Sequence, residues 1–600
     1  MRCGGCSVRK APLPASEAFD SRIGSTRREI SSKRFAPGGA KTPILMKTIA
    51  SRLEYFAQHQ PQAIFCRFLS GKTAETITFA QLYERSLAYA AYFTDRGVVR
   101  GDVVLIILKH TPHLFYSQLG AILAGAIPSF MPFPSPKQRV DLYWSDHEAL
   151  FNRINPTLLL TYEEARQAAQ AMLSDFSTPI LLASDQVLQH KPHPSARIAL
   201  DADEVACLQH SSGTTNLKKG VMLTHRAIID QVMAYSSALS FQPDDSIASW
   251  LPLYHDMGFI ACFMASVIQG TTLVALDPFE WVMRPHLLLD AIQEHKTTFC
   301  WLPNFAFSHL VNAARPDASW DLSSMKAFVS CSEPSKSTTF EKFLARFAEC
   351  GVTRRHLQVC YALAENVFAA TQTRLDLPVR TMLFDAEAFA KNNLAQPSPG
   401  RAALSVLSCG LPIAGVSLEV RDPSGTVLSD GIMGEIYIHS PFLFAGYYRL
   451  PEQTREKLRD GWYATGDIGF IDDGELFVAG RIDDMLIING SNYYAHEIET
   501  IVNSVPAVIP GRNVAIAVDD PYTDTKVVAV LAECRHDADF ERIGQDVRRS
   551  VLERLGLAVH SVVPLARGEL LKTTSGKISR KTNAQFYHDR VLNTDAANVG

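Results

Sequence analysis

No stretch of this sequence is long and apolar enough to span a bilayer. The best candidate, Val103 to Phe130, is interrupted by Lys109, His110 and Pro112, whereas a spanning helix needs about 20 apolar residues. An integral membrane segment is therefore not expected. Charge of one sign is also missing. The formal net charge is −4 over 600 residues, without the electrostatic footprint of a nucleic-acid binder. The cysteines form no framework: eleven are scattered without regular spacing. That suits free thiols in a reducing compartment, and we expect a cytoplasmic protein. Cys3 and Cys6 make a lone CxxC with no second pair, too few ligands for a structural zinc. The G-x-x-x-x-G-K-[ST] loop of P-loop enzymes is absent as well.

What is present is the composition of a globular enzyme, 47% apolar and 20% charged, in a chain too long for one core. Residues 1–45 are basic, Ser-rich and without apolar periodicity. Glu17, Asp20 and Glu29 argue against a transit peptide there. We expect 1–45 to be a disordered N-terminal segment or an artefact of the start site, with Met46 the working start of the fold. From Thr78 the pattern alternates. FAQLYERSLAYAAYFTDRG has helical spacing and closes on Gly97, DVVLIIL reads as a buried strand, and HLFYSQLGAILAGAIPSF reads as helix then strand. The alternation recurs at ILLAS, TTLVAL and SMKAFVSCS. Short buried strands between helices predict parallel-rich α/β sheets covered on both faces. Near residue 400 the character changes. SLEVRDPSGTVLSDGIMGEIYIHS and GELFVAG predict a small antiparallel β unit turning at Pro-Ser-Gly. A fresh α+β segment follows Arg481, so we place a boundary there: 46–482 as a large N-terminal domain and 483–600 as a small C-terminal one.

Four segments carry the chemistry. The first is Ser211-Ser212-Gly213-Thr214-Thr215, continuing to Lys219-Gly220. Small residues let backbone N–H groups approach phosphate oxygens, and hydroxyls and lysine add donors and charge. Taken alone, the same loop reads more readily as a solvated turn. The second is Tyr361-Ala362-Leu363-Ala364-Glu365-Asn366. Glu365 is a candidate Mg²⁺ ligand, since this ion takes few carboxylates beside substrate phosphates, and Tyr361 is a candidate base platform. The third pairs Thr465-Gly466-Asp467 with Gly480-Arg481-Ile482-Asp483-Asp484. Asp467 could accept from both hydroxyls of a ribose and Arg481 donate to the same sugar, although TGD alone is a turn. The fourth, Lys572-Thr573-Thr574-Ser575-Gly576-Lys577, is a Gly-hinged lysine able to place a point charge on a phosphoryl group, or else a basic tail.

Together and in this order, the four segments resemble the adenylate-forming superfamily of acyl-CoA synthetases, peptide-synthetase adenylation domains and luciferases. The resemblance runs from about Ile49 to Phe586. Leu251-Pro252-Leu253-Tyr254-His255-Asp256-Met257-Gly258, Ser332-Glu333-Pro334, Ala364 before Glu365, and Ser408-Cys409-Gly410-Leu411-Pro412 are similar to one branch, the fatty acyl-AMP ligases. Asn216, Lys218 and Leu571 depart from the usual Gly, Pro and Pro, as in a divergent subgroup.

The resemblance implies ATP and Mg²⁺ as cofactors and a fatty acid as substrate. It implies that loop 211–215 with Lys219 holds phosphates, and that Ser332, Glu333, Pro334 and Tyr361 flank the adenine. It also implies that Asp467 and Arg481 hold the ribose, that His255 stands near the carboxylate, and that Lys577 stabilises the transition state. A mobile C-terminal domain would turn about Asp483. The acyl pocket would lie between Trp250 and Val311, with Trp250, Phe259, Trp301 and Phe305 as candidate walls, although ordinary core would look the same. The long spacer 371–407 sits where that branch carries an insertion thought to hinder use of CoA. With only a short tail after Lys577, we expect an acyl carrier protein acting in trans. The alternatives are an acyl-CoA synthetase, for which 371–407 is merely a loop, and a non-catalytic binding homologue, against which Glu365, Asp467, Arg481 and Lys577 all weigh.

Overall fold

The computed structural model describes residues 46–71, 73–133, 140–172, 178–191, 197–210, 219–385, 403–488, 491–519, 526–535, 539–572 and 578–589. Residues 1–45, the phosphate-loop candidate 211–218, the stretch 386–402 of the spacer, and Lys577 lie outside the described residues.

Two large sheets organise the first four hundred or so residues, as the alternating pattern predicts. In one, Ile64–Ser70, Thr272–Leu276, Ser246–Ser249, Phe299–Leu302, Ala327–Ser330 and Leu357–Ala362 run parallel. In the other, Ile180–Leu182, Leu158–Thr161, Val103–Ile106, Ile127–Phe130 and Val205–His210 do the same. Val103–Ile106 and Phe299–Leu302 are buried along their whole length, as strands covered on both faces must be. Thr78 opens the helix Phe79–Thr94 with a capping box to Gln81. Helix His113–Leu123 is apolar almost all round, and every residue from Leu114 to Leu123 is buried.

Toward the edges of both sheets the pairing turns antiparallel. Thr73–Thr78, Ala369–Gln372 and Gly220–Thr224 all pair antiparallel with their neighbours. Each follows the preceding strand too closely for a crossover helix, so a hairpin is the only closure available.

The small antiparallel unit comprises Ser417–Arg421, Gly434–His439, Trp462–Asp472 and Glu475–Arg481. Asp422 folds its turn by accepting from the Ser424 and Thr426 N–H groups. Phe470 and Phe477 are cross-strand partners, with ring centroids 5.0 Å apart and planes 2° from parallel. Further on, Val508–Asp519, Lys526–Cys534 and Val559–Leu565 form a three-stranded sheet. Helices Ala495–Val502 and Phe540–Leu555 cover it around a separate apolar cluster that includes Ile498, Val502, Val530 and Val547.

The Ser408–Pro412 segment joins the antiparallel unit to the nine-stranded sheet. Cys409 donates its N–H to the Leu476 carbonyl at 2.7 Å and accepts from the Thr371 hydroxyl at 2.6 Å. Gly410 allows this approach: its φ is +87°, and a Cβ there would lie 2.1 Å from the Gln372 carbonyl carbon. Gly425 also has positive φ, +88°, but faces open space. Gly410→Ala should therefore cost more than about 4 kcal/mol, and Gly425→Ala about 1 kcal/mol. Denaturant unfolding of the two variants side by side separates close approach from backbone strain alone.

Candidate active site

The strand register Asp467 opposite Arg481 fixes the first part of the site. Arg481 Nε lies 3.0 Å from Asp467 Oδ1. From the end of the parallel strand Leu357–Ala362, the Tyr361 hydroxyl donates to Asp467 Oδ2 at 2.5 Å. Asp467 N–H donates to the Thr465 hydroxyl, closing the turn beneath it. Burial pushes the Asp467 carboxyl above its ordinary range, against the pull of Arg481 and Tyr361. Its proximity to Asp467 raises the Arg481 guanidinium despite burial. Tyr361 thus spends its hydroxyl on Asp467 while its ring stays in the main core.

Glu365 supplies the second part. It sits in the turn Ala364–Asn366, directly after the Tyr361 strand. Its Oε1 accepts from the Tyr447 hydroxyl at 2.8 Å, and Tyr447 lies 3.2 Å from the Tyr463 hydroxyl. Lys219 Nζ stands over the Tyr447 ring, 4.7 Å from its centroid. Burial lowers the Lys219 ammonium, and the charge of Glu365 works against that shift. Glu365 also acts electrostatically on Asp467 and Arg481, so the two parts form one cluster. Among the described residues no group of three or more His, Cys, Asp or Glu could cage a metal. Glu365 is therefore a single carboxylate without a cage. That donor set suits Mg²⁺, which binds through one or two carboxylates and the substrate's own phosphates.

The backbone after Glu365 is strained. Val367 has φ +62° and ψ −55°, rare for a β-branched residue. Phe368 N–H donates to the Asn366 carbonyl at 2.7 Å across it, a three-residue turn of the strained hand. Asn366, fully buried, holds the turn. Its amide donates to the Ala369 carbonyl at 3.0 Å and accepts from the Ser440 hydroxyl at 2.5 Å. Strain of this kind persists only where the surroundings over-determine it, and it gathers at functional sites.

His255 is part-exposed, its Nδ1 3.5 Å from Asp256 Oδ1. Asp256 caps Met257 N–H at 2.8 Å, opening a π-helix, Met257–Met264, whose eight residues are all buried. Such helices are rare and recur at functional sites. The candidate pocket residues separate into three places. Trp250 stacks on Trp281 at 3.6 Å, with half-exposed Phe305 at its edge. Phe305 N–H donates to Glu333 Oε1 at 2.7 Å, so the Ser332–Pro334 loop meets the same corner. Phe259 packs on Phe130 and Phe263. Trp301 donates its indole N–H to the Tyr235 hydroxyl at 2.9 Å. The sequence reading names Asn366 without a role and does not reach Tyr447. Tyr447 lies 82 residues from Glu365, and nothing in its local sequence marks it.

The AMP-binding enzyme family matches residues 53–448, more than half of the chain. The chain belongs to that family and is an adenylate-forming ligase. Among curated relatives, the medium-chain-fatty-acid–[acyl-carrier-protein] ligase JamA of Moorena producens is 28% identical over 89% of this chain and 94% of its own length. The long-chain-fatty-acid–AMP ligase FadD28 of Mycobacterium tuberculosis is 29% identical over 87% of this chain and 94% of its own. A solved fatty acid AMP ligase from Legionella pneumophila superposes with a TM-score of 0.71 at 25% identity, covering 92% of this chain and 98% of that one.

If Asn366 holds the strained turn, Asn366→Ala should destabilise the protein by roughly 2–4 kcal/mol, because Ser440 and the Ala369 carbonyl lose their partner. It should also lower ATP–pyrophosphate exchange through misplacement of Glu365. Thermal unfolding and the exchange assay on one preparation check both.

Proposed function

We propose that this protein activates a fatty acid as its acyl-AMP, releasing pyrophosphate, and passes the acyl group to the phosphopantetheine thiol of a separate acyl carrier protein. One observation carries the reading: Glu365, Lys219 and the Asp467–Arg481 pair converge around Tyr361 and Tyr447. Acidic, basic and hydrogen-bonding groups of this kind match the parts of a magnesium nucleotide. The names of the relatives support the acyl substrate and, for JamA, the carrier protein. The nine described cysteines are free, which supports a reducing, cytoplasmic setting. No helix among the described residues is long and apolar enough to cross a membrane.

In this reading the substrate carboxylate attacks the α-phosphorus of ATP and pyrophosphate leaves. Lys219 and the 211–215 loop hold the departing phosphates. Glu365 would hold Mg²⁺, which supplies neutralising charge when bound. Asp467, aimed by Arg481 and Tyr361, accepts from the two ribose hydroxyls. Tyr361 and the Ser332–Pro334 loop border the adenine, and His255 faces the carboxylate. Lys577 stabilises charge on the carboxylate and α-phosphate. Thiol capture then requires the segment from Asp483 to 600 to turn as a C-terminal domain about Asp483. The separate apolar cluster there and the bond from Arg580 Nε to Asp484 at 3.0 Å support a division at 482/483.

The test is product analysis by mass spectrometry. Protein, ATP, Mg²⁺ and C6 to C18 fatty acids are incubated with CoA, with holo-acyl carrier protein, or with neither. Acyl-AMP that persists with CoA and disappears onto the carrier is the expected result. Efficient acyl-CoA formation would favour the acyl-CoA synthetase reading, with 371–407 an ordinary loop. Lys577→Ala should lose about 10²–10³ in kcat for adenylation with no change in Tm.

The acid limb of the ATP kcat/KM profile gives a second test. Only ionised Asp467 accepts two hydroxyls, and burial raises its carboxyl. The limb should therefore fall at a pH above the ordinary carboxylate value of about 3.9, and Asp467→Asn should abolish it.

A further inference from the structure

The Thr465-Gly466-Asp467 turn has a second basic neighbour besides Arg481. Helix Pro451–Lys457 leads into Leu458–Arg459, and Leu458 and Arg459 pair antiparallel with Tyr463 and Trp462. That pairing returns Lys457, the last residue of the helix, to the side of the turn. A Cβ on Gly466 would lie 3.8 Å from Lys457 Nζ and 3.9 Å from Arg481 Nη2, with no other described group beyond its chain neighbours within 4 Å. Two cationic groups therefore flank one small open space beside Asp467.

Lys457 is part-buried, and among the described residues it makes no hydrogen bond or ion pair. The acids around the turn are engaged elsewhere. Asp467 takes Arg481 and the Tyr361 hydroxyl, and Glu365 takes the Tyr447 hydroxyl. Glu435 accepts from the Gly466 N–H at 2.9 Å and from the Tyr437 hydroxyl. Lys457 also acts on Lys219: its charge pushes that ammonium down, while Asp483 and Glu456 push it up. Like charges gathered at one corner repel, and an anion placed among them relieves the repulsion. In the reading above, Asp467 and Arg481 hold the ribose and Lys219 holds the departing phosphates. The α-phosphate of ATP lies between those two parts of the nucleotide, and Lys457 stands beside both sets of residues.

We propose that Lys457 is a further nucleotide contact, donating from Nζ to the α-phosphate of ATP and of the acyl-AMP made from it. The inference rests on the acyl-activating reading. Its consequence is that the two lysines act at different times. Lys577 belongs to the segment that turns about Asp483, whereas Lys457 precedes the pivot and stays with the nucleotide. It keeps a cation on the adenylate phosphate after Lys577 has left and while the thiol attacks the acyl carbon.

The test is calorimetric binding of ATP with Mg²⁺, of AMP and of adenosine to the unaltered protein and to the Lys457→Ala and Lys457→Arg variants. Lys457→Ala should weaken ATP and AMP about ten-fold, as loss of a hydrogen bond to a charged group does, and leave adenosine unchanged. Lys457→Arg should recover most of the loss. The Tm without nucleotide should not move, because Lys457 has no partner to lose. A lower Tm with unchanged nucleotide affinities would confine Lys457 to the helix end it shares with Arg455 and overturn the inference. So would a loss shared by adenosine, which carries no phosphate, or a loss confined to ATP, which would move the contact to the outer phosphates. Equal affinities in all three proteins overturn this inference alone. An unaltered protein that binds neither ATP nor AMP overturns the reading of the site as well.

Discussion

A carboxylate taken out of water must be compensated where it stands, and the site is arranged around that requirement at Asp467. Unpaired, a buried carboxylate would cost several kcal/mol. Arg481 compensates from the adjacent strand and Tyr361 from a different sheet. Asp467 is therefore a joint. The antiparallel unit cannot shift against the nine-stranded sheet without uncovering it. Cys409, bridging Leu476 and Thr371, holds the same seam from the other side. The polar pairing sets the position of the carboxylate, and the apolar packing on each side of the seam supplies the free energy that keeps it there.

The strain at Val367 belongs to the same design. The strand ends at Ala362, Glu365 is buried in the turn that follows, and Asn366 anchors that turn through two buried hydrogen bonds. Tyr447 then gives the carboxylate one donor, well short of satisfying it. An acceptor left with spare capacity beside a part-buried lysine is suited to a ligand that brings its own cation.

The layered fold was legible because burial writes itself into composition. Val103–Ile106 is uniformly apolar and Ala327–Ser330 is apolar up to its last residue, and a short apolar run between helices has few other homes. The paired motifs around Asp467 and Arg481 were legible because the antiparallel register that joins them follows from two strands and a short turn. The π-helix was not, since MGFIACFM is apolar at every position and carries no period. Nor could the sequence separate pocket from core among Trp250, Phe259 and Trp301: each is an aromatic in an apolar context, and only the partners of its polar atoms tell them apart. The roles of Tyr447 and Asn366 were not legible for a related reason. They lie in the hydrogen bonds to Glu365 and Ser440 across long stretches of chain, which no local pattern records.

Arg580 shows how the last segment would transmit motion. Its guanidinium bonds Asp484, Glu499 and the Ala515 carbonyl, so the first residue past the proposed pivot and the helix Arg580–Tyr587 share one anchor. Burial raises the Glu499 carboxyl, and Arg580 opposes that shift. Breaking the cluster would strand charges in the interior, which costs more than the pair is worth in water. Rotation about Asp483 would leave the cluster whole, because every member lies on the C-terminal side of the pivot. Across the boundary the described polar contacts are lighter, such as Lys336 Nζ to the Thr500 hydroxyl at 2.8 Å, a bond that water can replace. Apolar packing also crosses the boundary, where Tyr494 is buried against Phe470 and Phe477, so a turn about the proposed pivot at Asp483 would have to release that contact.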